Sequence, residues 1–589
     1  MSSRTPKHFS TRPVGWRARA CVAAGLAVAV ITAPLIGCTS TTGSTTSATT
    51  STTSSTTSSD TSVSQATSDS GDAVSLLDTS SVYSDRDLDA SYDESSATTI
   101  TLSDSGSSAS GSGVTIDGST ITITEEGTYV ITGSLSDGQI VVAAADDAKV
   151  QIVLAGASIT SSDSAAIYVS TADKVFLTLA DGTENSLSTT GEFVSTNDDN
   201  IDGTVFSKSD LTINGDGTLN VTSASGHGIV CKDELVIVGG TINVDAAGHA
   251  IQGKDSVAIG GGTLNLTAGT DGIHCANDED TSLGYIYVSD GTINVTAASD
   301  GFDAGLFLEV DGGTINVSAT DDGLHAEYGL VINGGTIDVT QSNEALEGSY
   351  VTITGGTIDA TASDDGVNAS GDPDTTTSSS SGGMGAAMEY DSTAKLTISG
   401  GTLTLDASGD GLDSNGDIEI SGGTTVVSGP TNSGNGSIDY GGSATISGGT
   451  LIAAGSSGMF ETVTSTGEQG VISISASGNA GDTIEVLDSD GNVIASATVA
   501  KQYECITLSS PDIVSGGTYT IRYGSEETTV TLDGTSYSDV SGTMGGQSQG
   551  MGAQGQGTGS APTGMGGRGS STMGSTSSTT STGTTNQSA

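Results

Sequence analysis

The chain has 589 residues, of which 14% are charged, 4% are aromatic and 86 are glycine, a composition too poor in large apolar side chains for a globular α/β enzyme of this size. Its 15 Lys and Arg against 70 Asp and Glu give a formal charge of −55, and no basic stripe is present to displace the counterions of a nucleic acid. Nucleic acid is therefore excluded as a partner, and the Gly-rich, Thr-rich, β-branched composition predicts an all-β protein.

Residues 1–38 have the pattern of a secretion signal. Five basic residues precede an apolar run over 21–36, which is shorter than the about 20 residues of a membrane-spanning helix. The run ends at Gly37 and Cys38 and resembles a bacterial lipobox, in which the cysteine is lipidated and becomes the N-terminus. An ordinary signal peptide and an uncleaved anchor are the alternatives. We expect lipidation at Cys38 and a protein held on the extracellular side of the cell membrane, at the cell surface.

Three segments are of low complexity. Residues 39–72 are almost entirely Ser and Thr, which predicts a flexible tether. Residues 541–589 are rich in Gly, Ser, Thr and Met and are expected to form a disordered tail, while 371–391 form a loop insertion. Without residues 1–37, ten basic residues face 70 acidic ones, a formal charge of −60.

An internal repeat of about 22 residues fills positions 201–460. Each unit contains Gly-Gly-Thr or Asp-Gly-Thr followed by alternating apolar residues. The threonines of this motif are Thr218, Thr241, Thr263, Thr292, Thr314, Thr336, Thr357, Thr402, Thr424 and Thr450.

Each unit contains three short strands with period-2 alternation, separated by turns. Such units cannot bury their apolar faces alone, so they must stack. The pattern predicts a right-handed parallel β-helix, a solenoid of three-strand coils. A β-sandwich or a propeller is the alternative, but propeller blades need longer repeats with aromatic signatures.

The regions that flank the repeats are also β-rich. We expect residues 75–200 to form an N-terminal cap and irregular first coils, and residues 461–540 to form a C-terminal cap or a small separate β domain.

Aligned repeats place polar side chains in two neighbouring columns. The first, in the turn before the second strand, is the turn column: His227, His249, Asp271, Asp300, Asp322, Glu344, Asp365 and Asp410. The second lies three residues later and is the strand column: Val230, Gln252, His274, Asp303, His325, Glu347, Asn368 and Asp413.

Carboxylates stacked about 5 Å apart repel one another, and Ca²⁺ accepts mixed oxygen ligands in flexible geometry. The columns therefore predict bound calcium, although Asp-Gly also suits tight turns that need no metal. The predicted ligands are Asp271, Asp300, Asp303, Asp322, Glu344, Glu347, Asp365, Asp410 and Asp413. His274 and His325 are predicted to contact a bound ligand.

Three further columns are visible. Asn220, Asn243, Asn265, Asn294 and Asn316 predict a structural ladder of side-chain amides. Cys231 and Cys275 lie two repeats apart, too far for a disulfide, and are expected to be buried thiols. Lys208, Lys232 and Lys254 are a candidate ligand-binding row, or else form ion pairs with Asp210, Asp233 and Asp255.

The sequence from Tyr83 to Glu94, the segment from His227 to Ile237 and the Gly-Gly-Thr-Ile repeats resemble a family of secreted bacterial carbohydrate-binding β-helix proteins with a clostridial prototype. The resemblance covers roughly residues 75–535. It implies a right-handed parallel β-helix, bound calcium, and binding to cellulose and to acidic polysaccharide such as polygalacturonate. That family is in turn similar to calcium-dependent pectate lyases.

With Trp16 removed along with the signal, the mature chain has no Trp to stack on a neutral glucan, which favours an acidic glycan. We therefore expect a non-catalytic, calcium-dependent protein that binds extracellular polysaccharide. A calcium-dependent polysaccharide lyase, with a lysine such as Lys254 as the base, and a cell-surface adhesin are the alternatives.

Overall fold

The computed structural model describes residues 77–194, 199–371 and 390–541. The predicted signal segment, the lipidation at Cys38 and the tether lie outside the described residues, as do nearly all of the 371–391 loop and the 541–589 tail. In the described ranges the protein is all-β and most strands are parallel; the helical content is one 3-10 turn, Thr79–Ser81. These ranges contain no helix with the length and apolarity that crossing a bilayer would require.

Successive repeats pair strand by strand in three parallel ladders, numbered 1 to 3 after the first, second and third strands of the repeat. Ladder 1 contains Glu184–Thr189, Thr218–Ser223, Thr314–Ser318, Thr336–Gln341, Thr357–Ala362, Thr402–Ala407, Thr424–Ser428 and Thr450–Gly455. Ladder 2 contains Thr120–Ile123, Gln139–Ala143, Ile167–Thr171, Gly203–Ser207, His227–Cys231, Ile251–Gly253, Ile273–Cys275, Phe302–Ala304, Val367–Ala369, Leu412–Ser414 and Ile438–Tyr440. Ladder 3 contains Thr98–Leu102, Lys174–Leu179, Asp210–Gly215, Phe307–Val310, Lys395–Ile398, Asp417–Ile420, Ala444–Ile446 and Thr464–Ser465.

Seven longer strands turn a corner and serve two ladders. Those that begin in ladder 3 and end in ladder 1 are Gly127–Leu135, Lys149–Ser161, Glu234–Ala246, Ser256–Ala268 and Tyr285–Ala297. Those that begin in ladder 2 and end in ladder 3 are Leu324–Ile332 and Leu346–Ile353.

The register of the repeats follows the alignment of their threonines. Thr218 pairs with Thr241, and each later motif threonine pairs with the next as far as Thr450. The glycine before the threonine explains the motif, because Gly313 and Gly335 have φ of +87° and +86° at the corner between ladders 3 and 1. L-residues with a Cβ rarely adopt this conformation.

One apolar core runs the length of the stack. Alternate residues of all three ladders point into it, as Ile242, Ile251 and Ile259 do in a single repeat, each with no exposed surface. Cys231 and Cys275 are free thiols in this core, separated in ladder 2 by Gly253. The predicted absence of a disulfide between them is confirmed.

The outer face of ladder 1 carries the predicted amide ladder. Each Asn Nδ2 donates to the Oδ1 of the preceding repeat at 2.8 to 2.9 Å, from Asn316 through Asn294, Asn265 and Asn243 to Asn220. This confirms a structural role for the column.

Antiparallel strands occupy both ends of the stack. Ser108–Ala109 pairs with Thr98–Leu102, and Val114–Asp117 pairs with Thr120–Ile123. At the other end Tyr503–Val514 pairs antiparallel with Thr450–Gly455 and Gln469–Gly478, which also pairs with Ser536–Ser538. Such pairing covers strand edges that would otherwise be open to other chains.

Residues 461–541 add a second core. Thr483–Leu487, Val493–Thr498, Thr518–Tyr523 and Glu526–Thr531 form a four-stranded antiparallel sheet. Ile484 and Ile521 of this sheet pack with Ile472 and Leu508 in an apolar cluster separate from the core of the stack.

Residues 77–95, which we call the strap, lie along the outer face of ladder 3. Tyr83 bonds Ser289 at 3.1 Å, and the Arg86 guanidinium lies 4.8 Å from the Phe176 ring centroid. Asp87 accepts a hydrogen bond from Thr212 and pairs with Lys174 at 2.9 Å. The region expected to hold a cap and first coils therefore divides into this strap and strands from Thr98 onward, most of whose pairings are parallel.

The buried ion pair should make the strap a large contributor to stability. Asp87 and Lys174 side chains are 2% and 11% exposed, so Asp87→Ala leaves a buried ammonium and should lower the free energy of unfolding by about 3–5 kcal/mol, measured by denaturant titration. The matched control is Asp173→Ala at the exposed Lys149–Asp173 pair, which should cost less than about 1 kcal/mol. Equal effects of the two variants would contradict this role.

The Asp87–Lys174 pair also makes the stability of the fold depend on pH in the acidic range. Burial favours the neutral acid, but hydrogen bonds from Ser84 and Thr212 and the Lys174 ammonium hold the pKa of Asp87 below its usual range. Asp87 therefore contributes its full stabilisation above the pKa of about 3.9 that an Asp has in the unfolded chain. This contribution is lost as the pH falls through the lower pKa of the folded state.

Candidate functional site

The two polar columns lie side by side on one edge of the stack, which we call the acidic edge. Ladder 2 pairs the strand column in the predicted register, from Val230 through Gln252, His274, Asp303, His325, Glu347 and Asn368 to Asp413, and continues it to Asp439. The turn column runs beside it, because each of its residues lies three positions before a residue of the strand column.

Side chains of the turn column hydrogen-bond the main chain of the next repeat. The amide of Asp322 donates to Asp300 Oδ1 at 2.8 Å, that of Asp410 to Asp365 Oδ1 at 2.5 Å, and that of Gly436 to Asp410 Oδ1 at 2.5 Å. The amide of His249 donates in the same way to His227 Nδ1 at 2.9 Å. In each of these turn residues, one acceptor atom therefore bonds the main chain of the next repeat. In the Asp residues, the second carboxylate oxygen remains available to other partners.

Imidazoles neutralise two of the carboxylates in the first half of the edge, which we call the imidazole end: His227, His249, Asp271, His274, Asp303 and His325. Asp271 Oδ2 lies 2.9 Å from His249 Nδ1 and 3.5 Å from His274 Nδ1. Asp303 lies between two rings, 2.7 Å from His274 Nδ1 and 3.1 Å from His325 Nδ1. The imidazole rings of His227, His249 and His274 are stacked, with centroids 4.6 and 4.5 Å apart.

The pKa values at this end follow from these contacts. Burial opposes charge on every group, but the imidazole contacts hold the pKa of Asp271 and of Asp303 well below the usual range. Hydrogen bonds to Asp271 and Asp303 raise the pKa of His274 to about 9 against burial, and Asp303 raises that of His325. Burial, His249 and Lys232 lower the pKa of His227 to about 4.

The second half of the edge, the carboxylate end, has less such compensation: among the described residues its one imidazole contact is that of Glu347 with His325 Nε2, at 3.9 Å. It comprises Glu344, Glu347, Asp365, Asp410, Asp413 and Asp439. Burial and then neighbouring carboxylates raise the pKa of Asp365 to about 6, of Asp410 to about 7 and of Asp413 to about 9. Burial and Asp322 raise the pKa of Glu347, and burial raises that of Glu344 although Asn368 donates to it at 2.8 Å.

Several groups of side chains bring their ligand atoms within 4.8 Å of one another. Those at the carboxylate end and its border are Asp410 with Asp413 and Asp439, Asp322 with Glu344 and Glu347, and Asp300 with Asp321 and Asp322. Two groups include imidazoles: Asp300 with Asp303 and His325, and His249 with Asp271 and His274. Asp365, predicted as a ligand, belongs to none of these groups among the described residues.

Asp413 is the most confined of these carboxylates. The residue is 5% exposed, and its Oδ1 has no hydrogen-bond partner among the described residues. A buried, unpaired carboxylate oxygen is costly unless a proton or a cation meets it. The Asp410–Asp413–Asp439 group therefore fits a hard cation, because all its donors are carboxylate oxygens.

The three aligned lysines are all in ion pairs. Lys208 contacts Asp199 at 2.6 Å, Lys232 contacts Asp202 at 3.9 Å and Lys254 contacts Glu279 at 2.6 Å. The expectation of ion pairs is therefore met with different carboxylates from Asp210, Asp233 and Asp255, because the lysine side chains extend toward loops of their own or neighbouring repeats. Their role in ligand binding stays a prediction.

Sequence alignment of the columns missed Asp439, since the last repeat is 26 residues long and its turn is irregular. The signal was present: Ile438-Asp439 occupies the same strand position as Leu412-Asp413. Asp321 was missed because it lies one residue before the turn column.

The imidazole end gives a direct titration test. His274 should titrate near pH 9 in NMR spectra and His325 above the ordinary value of about 6.5. Asp303→Asn should lower both pKa values, and Asp338→Asn, at an exposed position of ladder 1, should change neither. Because these pKa values are raised in the folded state, the stabilisation is present below about pH 6.5 and is lost as the pH rises toward 9. Ordinary titration of both rings in the unsubstituted protein would contradict the assignment.

This chain is similar to known proteins over part of its length. A solved structure that this chain resembles is the polysaccharide lyase-like protein from C. thermocellum, gadolinium derivative, with 31% identity, a TM-score of 0.34, and coverage of 41% of this chain and 94% of that one. A carbohydrate-binding domain-containing protein of Acetivibrio thermocellus is 36% identical over 136 residues, which are 23% of this chain and 48% of that protein. The match thus spans about half the length of that relative.

The family model for carbohydrate-binding domain-containing proteins matches residues 117–366 and 308–436. Together these matches span more than half of the chain and include every residue of both ends of the acidic edge except Asp439. The chain belongs to the family of carbohydrate-binding domain-containing proteins.

Proposed function

We propose that this protein binds acidic extracellular polysaccharide through Ca²⁺ held along the acidic edge, without cleaving it. The observation that carries the proposal is the Asp410–Asp413–Asp439 group, in which a buried carboxylate oxygen has no partner among the described residues. Membership of a carbohydrate-binding family supports the class of ligand.

Electrostatics favours a cation at the carboxylate end. Two carboxylates at the spacing of paired strands, about 4.8 Å, repel by about 1 kcal/mol in water and about 3–4 kcal/mol at an effective dielectric of 20. Asp413 and Asp439 have no imidazole partner among the described residues, unlike Asp271 and Asp303, and their pairing in ladder 2 prevents them from moving apart. We therefore place calcium first at Asp410–Asp413–Asp439 and second at Asp322–Glu344–Glu347.

A bound cation would supply a Lewis-acidic contact for a sugar carboxylate, while the protein fixes its position. Because the ligands repeat with the strands, sites recur along one rigid edge. A polyuronate also presents carboxylates at regular intervals, so several weak contacts would act together through multivalency. This arrangement favours an acidic polymer over a single sugar.

We propose that the three ladders form a right-handed parallel β-helix, since crossover connections between parallel strands of one sheet are nearly always right-handed. Such a winding would keep the acidic edge rigid and extended. The predicted lipid on Cys38 and the Ser/Thr tether would hold this edge at the cell surface, where polymer is met.

Calcium should stabilise the fold through Asp413. Binding to the native state alone adds about 2.7 kcal/mol at a calcium concentration of 100 Kd, so chelation should lower Tm. Asp413→Asn should reduce that difference to the part contributed by Asp322–Glu344–Glu347, yet melt no lower than the unsubstituted protein in chelator, because it replaces a carboxyl group whose ionisation burial and neighbouring carboxylates oppose. The control Asp338→Asn should keep the full calcium effect. An identical melting curve with and without chelator would leave these residues as turn and strand residues only.

Binding and cleavage can be separated in one experiment. The protein, Ca²⁺ and soluble polygalacturonate are incubated, and retention is followed by affinity electrophoresis alongside absorbance of unsaturated uronate ends. We expect calcium-dependent retention without new ends, and weaker retention for Asp413→Asn. Accumulating unsaturated ends would make the protein a lyase instead. Equal retention after chelation would refute calcium bridging.

A further inference from the structure

We propose that the stacked imidazoles of His227, His249 and His274 form a metal-independent subsite for the uronate units of the acidic glycan. The inference rests on the proposed function for its class of ligand, and assigns a different part of the edge a different means of binding it.

The fold does not require imidazoles at these turn positions. The turn column needs only an acceptor for the next repeat's amide, and carboxylates provide it at Asp300, Asp365 and Asp410. At His227 the ring Nδ1 does the same for the His249 amide at 2.9 Å. An Asp or Asn would satisfy this bond, so the rest of the imidazole is available for another purpose.

In all three rings Nδ1 is engaged, whereas Nε2 has no hydrogen-bond partner among the described residues. A neutral His227 that accepts at Nδ1 must carry its hydrogen on Nε2, which makes that atom a donor. His249 and His274 direct Nδ1 to the carboxylates of Asp271 and Asp303. The His249 and His274 side chains are 17% and 21% exposed, enough for a ligand to reach the rings.

Because the three imidazole rings are stacked, their Nε2 atoms form a regular row along the edge. The rings are nearly parallel, with interplanar angles of 9° and 12°, and their centroids are 4.6 and 4.5 Å apart. A glycan that runs along the stack would meet one imidazole per repeat. Uronate carboxylates accept hydrogen bonds, and uronate hydroxyls both donate and accept, so the row matches the polar groups of such a chain.

The charge at this end of the edge repels an anionic ligand less than the charge at the carboxylate end does. The carboxylate of Asp271 contacts two imidazoles and that of Asp303 contacts two, so less negative charge is left uncompensated than around Asp413. Lys232, paired with Asp202 at 3.9 Å, adds a cation in the same repeat as His227. An anionic polymer can therefore approach here without a metal ion.

Two double variants test Nε2, the proposed ligand-facing atom, separately from Nδ1, the atom that bonds other groups of the protein. In His227→Asn/His249→Asn, the amide oxygen replaces Nδ1 of His227 as the acceptor, and the amide nitrogen replaces Nδ1 of His249 as the donor to Asp271. Nothing replaces Nε2 of either ring. In His227→Gln/His249→Gln, an amide nitrogen lies near the Nε2 position and the acceptor for the next repeat is lost. Soluble polygalacturonate is the probe, with isothermal titration in EDTA and in Ca²⁺, and Tm is measured for each variant.

The unsubstituted protein should bind polygalacturonate in EDTA, more weakly than in Ca²⁺. The Asn pair should keep its Tm and lose about tenfold in affinity in EDTA, as expected for two lost hydrogen bonds. The Gln pair should melt lower but retain most of that affinity. No binding by the unsubstituted protein in EDTA, or undiminished binding by the Asn pair, would overturn the subsite.

The two proposals fail in different ways. If Ca²⁺ adds nothing to affinity while the Asn pair weakens binding, calcium bridging is wrong and the imidazole subsite stands. If Ca²⁺ strengthens binding and the Asn pair binds like the unsubstituted protein in EDTA, the imidazole subsite is wrong.

Discussion

Parallel pairing in register places every position of one repeat beside the same position of the next, about 4.8 Å away. Backbone hydrogen bonds of the three ladders hold that spacing, so side chains in a column cannot separate. Apolar residues repeated at inward positions therefore become one continuous core, as Ile242, Ile251 and Ile259 show in one repeat. The same constraint turns Asn243 and its equivalents into a hydrogen-bonded ladder. It also turns a repeated Asp into a row of like charges.

The protein stabilises that row in more than one way. Main-chain amides bond one oxygen of several turn residues, as the Asp322 amide bonds Asp300. Imidazoles compensate Asp271 and Asp303, whose pKa values are depressed as a result. At the carboxylate end, main-chain amides and imidazoles do not compensate all of the negative charge. Burial and neighbouring carboxylates raise the pKa of Asp413 there to about 9. The proposed calcium acts where the protein's own groups leave charge uncompensated.

Rigidity connects this electrostatic arrangement to carbohydrate binding. Sites on paired strands are held more firmly than sites on loops, so a periodic polymer can meet them in register. The strap strengthens the opposite side of the stack, where the buried Asp87–Lys174 pair joins residues far apart in the chain. Antiparallel strands at both ends prevent the stack from extending into another chain. The binding proposed above uses the lateral edge of the stack.

The repeat made much of this predictable from sequence. A period of about 22 residues with alternating apolar positions determined the strand register, the inward residues and the members of both polar columns except Asp439, because identical units can bury their apolar faces only by stacking in alignment. Only the tertiary structure showed which partner each polar side chain has. Three such facts are that Asp303 lies between two imidazoles, that Asp413 Oδ1 is buried with no hydrogen-bond partner among the described residues, and that Asp87 pairs with Lys174. Each depends on side-chain directions and on contacts between distant segments. A column in the sequence gives neighbours along the stack, whereas burial and charge compensation depend on everything packed around it.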